Sequence, residues 1–109
     1  TTGNNLIGAT GNNLAFWVNS SERMRIKSNG TIGIATTSPD TNYILDVNGK
    51  AQIRSVLELD DVLTLNAIST PADPATNKSS IYMDSADGAI KVKINVGGTV
   101  VTKTIASFE

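Results

Sequence analysis

The stretch that decides the fold runs from Arg23 to Ile34 and reads RMRIKSNGTIGI. Apolar and polar residues alternate on both sides of an Asn-Gly pair, which is the pattern of two antiparallel strands joined by a tight turn. A two-residue turn would place Lys27 opposite Ile32 and mix the two faces. A three-residue loop pairs Ile26 with Ile32 and puts Gly30 where a left-handed residue is needed. The sequence therefore predicts a hairpin with a three-residue loop.

This register separates an apolar face of the hairpin from a cationic one. Met24 then lies opposite Ile34, and we expect the apolar face to be buried. Arg23, Arg25 and Lys27 share the other face. Two interpretations of these cations stay open, namely a site for anionic surface glycans and a solvated face that blocks aggregation between sheet edges.

A second Asn-Gly pair, at residues 48–49, predicts a second hairpin by the same argument. A loop of residues 47–49 places Leu45 opposite Ala51. Farther along, the alternating leucines of residues 57–65 predict more strand, interrupted at Asp60-Asp61.

The C-terminal part of the chain predicts an antiparallel meander. A loop of residues 85–88 pairs Met83 with Ile90, and Gly97-Gly98 turns the chain back again. Ile90, Val92 and Ile94 alternate with lysines, so this strand is expected to bury one face. Lys91 and Lys93 are expected to face solvent.

The N-terminal part contains the five residues TGNNL twice, at residues 2–6 and 10–14. This recurrence favours a repeated strand-and-turn unit, with chance recurrence in a chain rich in Gly, Asn and Thr as the alternative. Trp17 then lies on a strand, on the face opposite Phe16. It is either a platform for stacking a sugar or a packing residue between chains.

The composition excludes several classes of function. The 109 residues carry a net charge of -1, with 17% charged residues, so no electrostatic feature favours nucleic acid or an anionic membrane. The chain has no Cys and no His, and no pair of acidic residues is marked for catalysis. We expect a non-enzymatic protein without cofactor, metal or membrane insertion. Since only 5% of residues are aromatic, we expect an obligate oligomer with a shared core.

The predicted organisation has three parts and no helix. Residues 1–68 form a β-hairpin module, residues 69–80 a linker or crossing loop with two prolines, and residues 81–109 the meander. The sequence begins at Thr1, in the middle of a pattern, so we expect a fragment of a longer protein.

Three motifs then carry a resemblance to a known family: ERMRI at residues 22–26, NGTIGIATTSP at residues 29–39, and LDVNG at residues 45–49. Together they resemble a module of bacteriophage tail-fibre and other virion-fibre proteins, over roughly residues 14–54. The family usually has glycine where this chain has Ala35, so the loop before Pro39 is expected to differ in backbone conformation. Residues 81–100 resemble, more loosely, the sheet-forming ends of marine-phage fibre proteins.

The resemblance implies an all-β, elongated and homotrimeric assembly on a virion, at the tail or the capsid surface. Its function would be host attachment or structural extension. Its partners would be further copies of itself, other virion proteins bound through the part before Thr1, and a host surface glycan. The alternatives are a capsid decoration or head-fibre protein, a cellular adhesin module and an isolated β-sandwich.

Two sets of candidate residues follow. The residues expected in the oligomer core are Met24, Ile26, Ile32, Ile34, Ile90, Val92 and Ile94. The residues expected in surface recognition are Trp17, Arg23 and Arg25.

Overall fold

The computed structural model describes residues 4–108 and divides the chain into two compact units, Thr1–Leu57 and Glu58–Glu109. Each unit is built on one sheet, and residues 4–108 contain nine strands and no helix. The prediction of an all-β chain is confirmed. Within the same residues, the structure holds no helix with the length and apolar character needed to cross a membrane.

The first sheet contains five strands that lie in the order of the sequence. They are β1 (Leu6–Thr10), β2 (Asn13–Val18), β3 (Ser21–Ile26), β4 (Ile32–Ile34) and β5 (Leu45–Val47). The first four are antiparallel neighbours, whereas β5 runs parallel to β4.

The hairpin of β3 and β4 has the predicted register. Ile26 pairs with Ile32 and Met24 with Ile34. The Lys27 N–H donates to the Thr31 carbonyl at 2.8 Å, which closes a three-residue loop. Gly30 has a φ of 92°, so the position expected to be left-handed is left-handed.

The second predicted hairpin is wrong. Leu45 pairs with Ile32 of β4 instead of Ala51, because residues 35–44 carry the chain back to the free edge of β4. The Asn48 N–H then donates to the Ile34 carbonyl at 3.0 Å and extends this parallel ladder. An Asn-Gly pair signals a local turn. It does not show whether a strand elsewhere in the sequence offers a free edge for pairing.

The strand predicted from the alternating leucines is also wrong, since the structure contains no strand between Asn48 and Asn66. No strand within the described part of the chain pairs with these residues.

The repeated TGNNL segments occupy different places in the sheet. Residues 2–3 lie outside the described residues, and Asn4-Asn5 precede β1. In the second copy, Gly11-Asn12 form the turn between β1 and β2, with a φ of 61° at Gly11. The described part of the first copy therefore does not match the second in secondary structure.

The second sheet contains four strands, again in sequence order. They are β6 (Ala67–Ile68), β7 (Lys78–Asp84), β8 (Ile90–Val96) and β9 (Thr99–Ala106). β6 is parallel to β7, and the other pairs are antiparallel. The predicted pairing of Met83 with Ile90 is confirmed.

The turn between β8 and β9 is the two-residue pair Gly97-Gly98, which sets Val96 opposite Thr99. Both glycines have positive φ, at 59° and 90°, as a type I′ turn requires. Residues 78–80 belong to β7, so the part of the predicted linker that lies outside a strand is residues 69–77.

Candidate functional site

One face of the first sheet is apolar across all five strands. Residues that pair across strands point to the same side, so the register assembles two rows. We call these ten side chains the first apolar face: Ile7, Phe16, Met24, Ile34 and Val47 in one row, and Ala9, Leu14, Ile26, Ile32 and Leu45 in the other. None of the ten is buried within the chain.

The opposite face of the first sheet is covered by the chain itself around Ala15 and Gly33. Ala15 is fully buried there, and Thr31 is 3% exposed. Pro39 packs on Gly33 so closely that a Cβ at Gly33 would lie 3.0 Å from the Pro39 Cβ. The apolar face is therefore the open side of this sheet.

A bulge in β3 explains the charged residues of the ERMRI motif. Phe16 pairs with Met24 and Trp17 with Glu22, so Arg23 is the extra residue. This shift brings Glu22 to the same side as Arg25, where the guanidinium Nη2 lies 2.6 Å from Glu22 Oε1 and Nε lies 2.9 Å from Oε2. The prediction that Arg23, Arg25 and Lys27 share one face is wrong, because Arg23 is the extra residue of the bulge. Arg25 is 15% exposed in a bidentate ion pair, so it does not belong to a solvated face.

Trp17 lies across from Leu6 on one side and Glu22 on the other. A shallow depression beside it is lined mainly by apolar side chains, Leu6, Ile7, Phe16 and Val18 among them. The structure brings Trp17 and Arg25 to the same face of the sheet and leaves Arg23 exposed at the bulge.

The second sheet buries its polar face, which reverses the expectation for its lysines. Lys93 is 8% exposed; its Nζ donates to the Pro71 carbonyl at 2.8 Å and to Asp73 Oδ1 at 2.9 Å. The Asn95 side-chain amide donates to the Pro74 carbonyl at 2.8 Å. Residues 69–77 therefore cover this face, and the prediction of solvent-facing lysines is wrong.

Lys91 is held by two carboxylates of the turn that precedes β8. Its Nζ lies 2.8 Å from Asp84 Oδ2 and 2.8 Å from Asp87 Oδ2. Hydrogen bonds from Lys91, followed by those from the Ala86 and Ala89 N–H groups, lower the pKa of Asp84 and Asp87 below the ordinary value. The two carboxylates in turn raise the pKa of Lys91. Among the described residues, no group of three or more acidic side chains is arranged to hold a metal ion.

The other side of the second sheet is apolar and open. Paired residues again share a side, and they define the second apolar face. Its members are Ile81, Met83, Ile90, Val92, Ile94, Val96 and Val101, with Lys103 paired to Val92. Ile81 is 58% exposed and Val96 66% exposed, so this side lacks a cover within the chain.

The seven residues predicted for the oligomer core all lie on these two apolar faces. Sequence reasoning missed the contributions of Phe16, Leu45, Val47 and Val101, whose strand partners fix their side. The alternation within β2 and β9 held part of that signal. The core role of the seven residues stays a prediction.

Comparison with models of protein families, with curated proteins and with solved structures finds no match to this chain. The resemblance to virion-fibre modules therefore stays a prediction as well.

Proposed function

We propose that this chain is a non-enzymatic structural segment of a virion fibre, assembled as a homotrimer, that extends from the virion or attaches it to a host. The observation that carries the proposal is that each sheet has one face closed by its own chain and one apolar face left open. Since exposed apolar faces of this extent mark sites of association, further copies of the chain are the simplest cover for them.

The amount of hydrophobic core supports the same proposal. Among residues 4–108 the buried hydrophobic residues are Ala15, Tyr82 and Ala89, and no large side chain is fully buried. Hydrophobic burial is the dominant favourable term in folding, and these three residues supply little of it. The core is completed when the open faces of several chains meet.

Multivalency would supply the mechanism of attachment. Three identical faces that bind one surface together gain avidity, so the affinity of each single contact can be low. The candidate contacts are Trp17 and the exposed Arg23, whereas Arg25 is already paired with Glu22. Host surface glycans are the class of ligand that we propose for them.

The mass of the protein in solution tests the assembly. We expect light scattering or native mass spectrometry to give three times the chain mass of 11.4 kDa. A stable, folded monomer would contradict the proposal, and a dimer would contradict the trimer. Imaging labelled protein on virions then separates a tail fibre from a capsid decoration or head fibre, and absence from virions would favour a cellular adhesin.

A further inference from the structure

Residues 56–65, which we call the leucine-rich segment, read VLELDDVLTL. They belong to neither sheet and have no strand partner among residues 4–108. Val56 is 80% exposed, Val62 77% and Leu63 65%. The hydrogen bond found in this segment runs from the Val62 N–H to the carboxylate of its neighbour Asp61, at 2.9 Å. The segment therefore exposes both aliphatic side chains and backbone.

Such a segment is expected to be covered in the assembled protein. Six of its ten residues are aliphatic, which is not the composition of a chain that stays disordered in water. Extended backbone with free N–H and carbonyl groups also gains hydrogen bonds when a sheet or strand lies beside it. The question is which surface covers it.

The charges on the two open surfaces show which of them better matches the leucine-rich segment. The first apolar face consists of uncharged residues, whereas the second apolar face carries Lys103 in the row of Ile81 and Val92. The leucine-rich segment carries three acidic residues, Glu58, Asp60 and Asp61, and no basic one. Apolar side chains flanked by acidic groups complement an apolar surface with a single cation.

The exposure of both surfaces favours an occupant from a different copy of the chain. Within one chain, Leu59 of the segment is 48% exposed and Ile81 of the second apolar face 58% exposed. Because both surfaces remain open, the segment does not cover the sheet of its own chain.

We propose that the leucine-rich segment of one copy lies on the second apolar face of a neighbouring copy, with its acidic residues beside Lys103. This inference rests on the homo-oligomer proposed above. It assigns the first apolar face, which is uncharged, to contacts between like surfaces. It assigns the second to contact with a different part of the neighbouring chain.

Zero-length cross-linking tests this arrangement. A carbodiimide joins an amine to a carboxylate only when the two are in contact. Protein labelled with nitrogen-15 is refolded together with unlabelled protein, the mass of the assembly is measured, and the mixture is then cross-linked and digested. We expect mixed-label peptides that join Lys103 to Glu58, Asp60 or Asp61. Lys103→Arg is the matched control, because it keeps the charge but cannot form the amide.

Charge reversal gives a second readout. Lys103→Glu places like charges together, so we expect the protein concentration at half-dissociation to rise roughly tenfold. Adding Asp60→Lys and Asp61→Lys to that variant is expected to return the concentration at half-dissociation to the value of the parent protein. Lys50→Glu, at an exposed site outside both surfaces, is expected to leave the value unchanged.

The outcomes separate this inference from the proposed function. A trimer that lacks the Lys103 cross-links, gives them only within one chain, or is indifferent to Lys103→Glu overturns the inference and leaves the trimer standing. A folded monomer in the same mass measurement overturns the proposed assembly and the inference together.

Discussion

Ala35 follows β4 with a φ of 58°, in the left-handed region that favours glycine. Its backbone is held from both sides, since its N–H donates to the Arg23 carbonyl at 2.9 Å and its carbonyl accepts from the Asn48 side chain at 3.2 Å. The fold therefore imposes this conformation on an alanine. Glycine is preferred over alanine in this conformation.

Replacing Ala35 with glycine is expected to stabilise the protein. Relief of the left-handed strain is worth about 1–2 kcal/mol, and the greater freedom of glycine in the unfolded chain offsets part of it. We expect a net gain of roughly 0.5–1 kcal/mol in the free energy of unfolding. Denaturant titration at a fixed protein concentration measures it.

Ala9→Gly serves as the control for Ala35→Gly. Ala9 lies in β1, outside the positive-φ positions, so glycine there is expected to destabilise by roughly 0.5–1 kcal/mol. If both substitutions lower stability, strain at Ala35 is not the reason for the preference.

At the scale of elements, local pairing could be predicted from the sequence and distant pairing could not. The Ile26–Ile32 and Met83–Ile90 pairs lie on either side of short loops, so alternation and a glycine were sufficient. The parallel β4–β5 pair depends on a ten-residue connection, residues 35–44, that returns to a free edge. The alternation of residues along one strand does not show where a free sheet edge lies.

The buried lysines show the same limit in the second sheet. Alternation along β8 correctly separates an apolar from a polar side. It does not say which side is covered, because the cover comes from Asp73 and the carbonyls of Pro71 and Pro74, some twenty residues away in sequence. The candidate site could not be predicted for the same reason. Which apolar faces stay open is known only when the positions of the covering segments are known.

The ion pairs of the β7–β8 turn predict loss of stability in acid. The pKa values of Asp84 and Asp87 are lowered in the folded state, chiefly by Lys91. Their contribution is therefore complete above the ordinary value of 3.8 and is lost as the pH falls through the lower folded values. Because the pKa of Lys91 is raised, its contribution is complete below the ordinary 10.5 and is lost only at higher pH.

Urea midpoints measured between about pH 5 and pH 2 test this dependence. We expect the midpoint of the parent protein to fall across that range and the midpoint of Asp84→Asn to fall less steeply. Asp40→Asn, which removes a carboxylate remote in sequence from Lys91, is the control. An unchanged slope in Asp84→Asn would assign the acid sensitivity to other groups.

At the scale of the whole molecule, each sheet has one covered side and one open apolar side. The chain supplies its own cover for one side of each sheet, with Pro39 on the first and residues 69–77 on the second. The covered sides hold ion pairs, small residues and the aromatic residues Trp17 and Tyr82, while most of the larger aliphatic side chains lie on the open sides. This is the reverse of the arrangement that stabilises a lone domain. In the homotrimer that we propose, most of the available hydrophobic free energy would lie between chains.

A charge on the first apolar face tests where that free energy lies. Ile32 lies on the first apolar face with a paired neighbour on either side, Ile26 and Leu45. If this face is buried between chains, Ile32→Asp leaves an unpaired charge in an apolar interface, which costs several kcal/mol, and the oligomer should dissociate or fail to form at micromolar concentration. Ile32→Val removes one methylene and is expected to cost about 1 kcal/mol without changing the mass. Thr37→Asp places the same charge on an exposed loop and should also leave the mass unchanged. If the Ile32→Asp variant keeps the mass of the parent oligomer, the first apolar face is not an interface, because an aspartate is tolerated only where water reaches it.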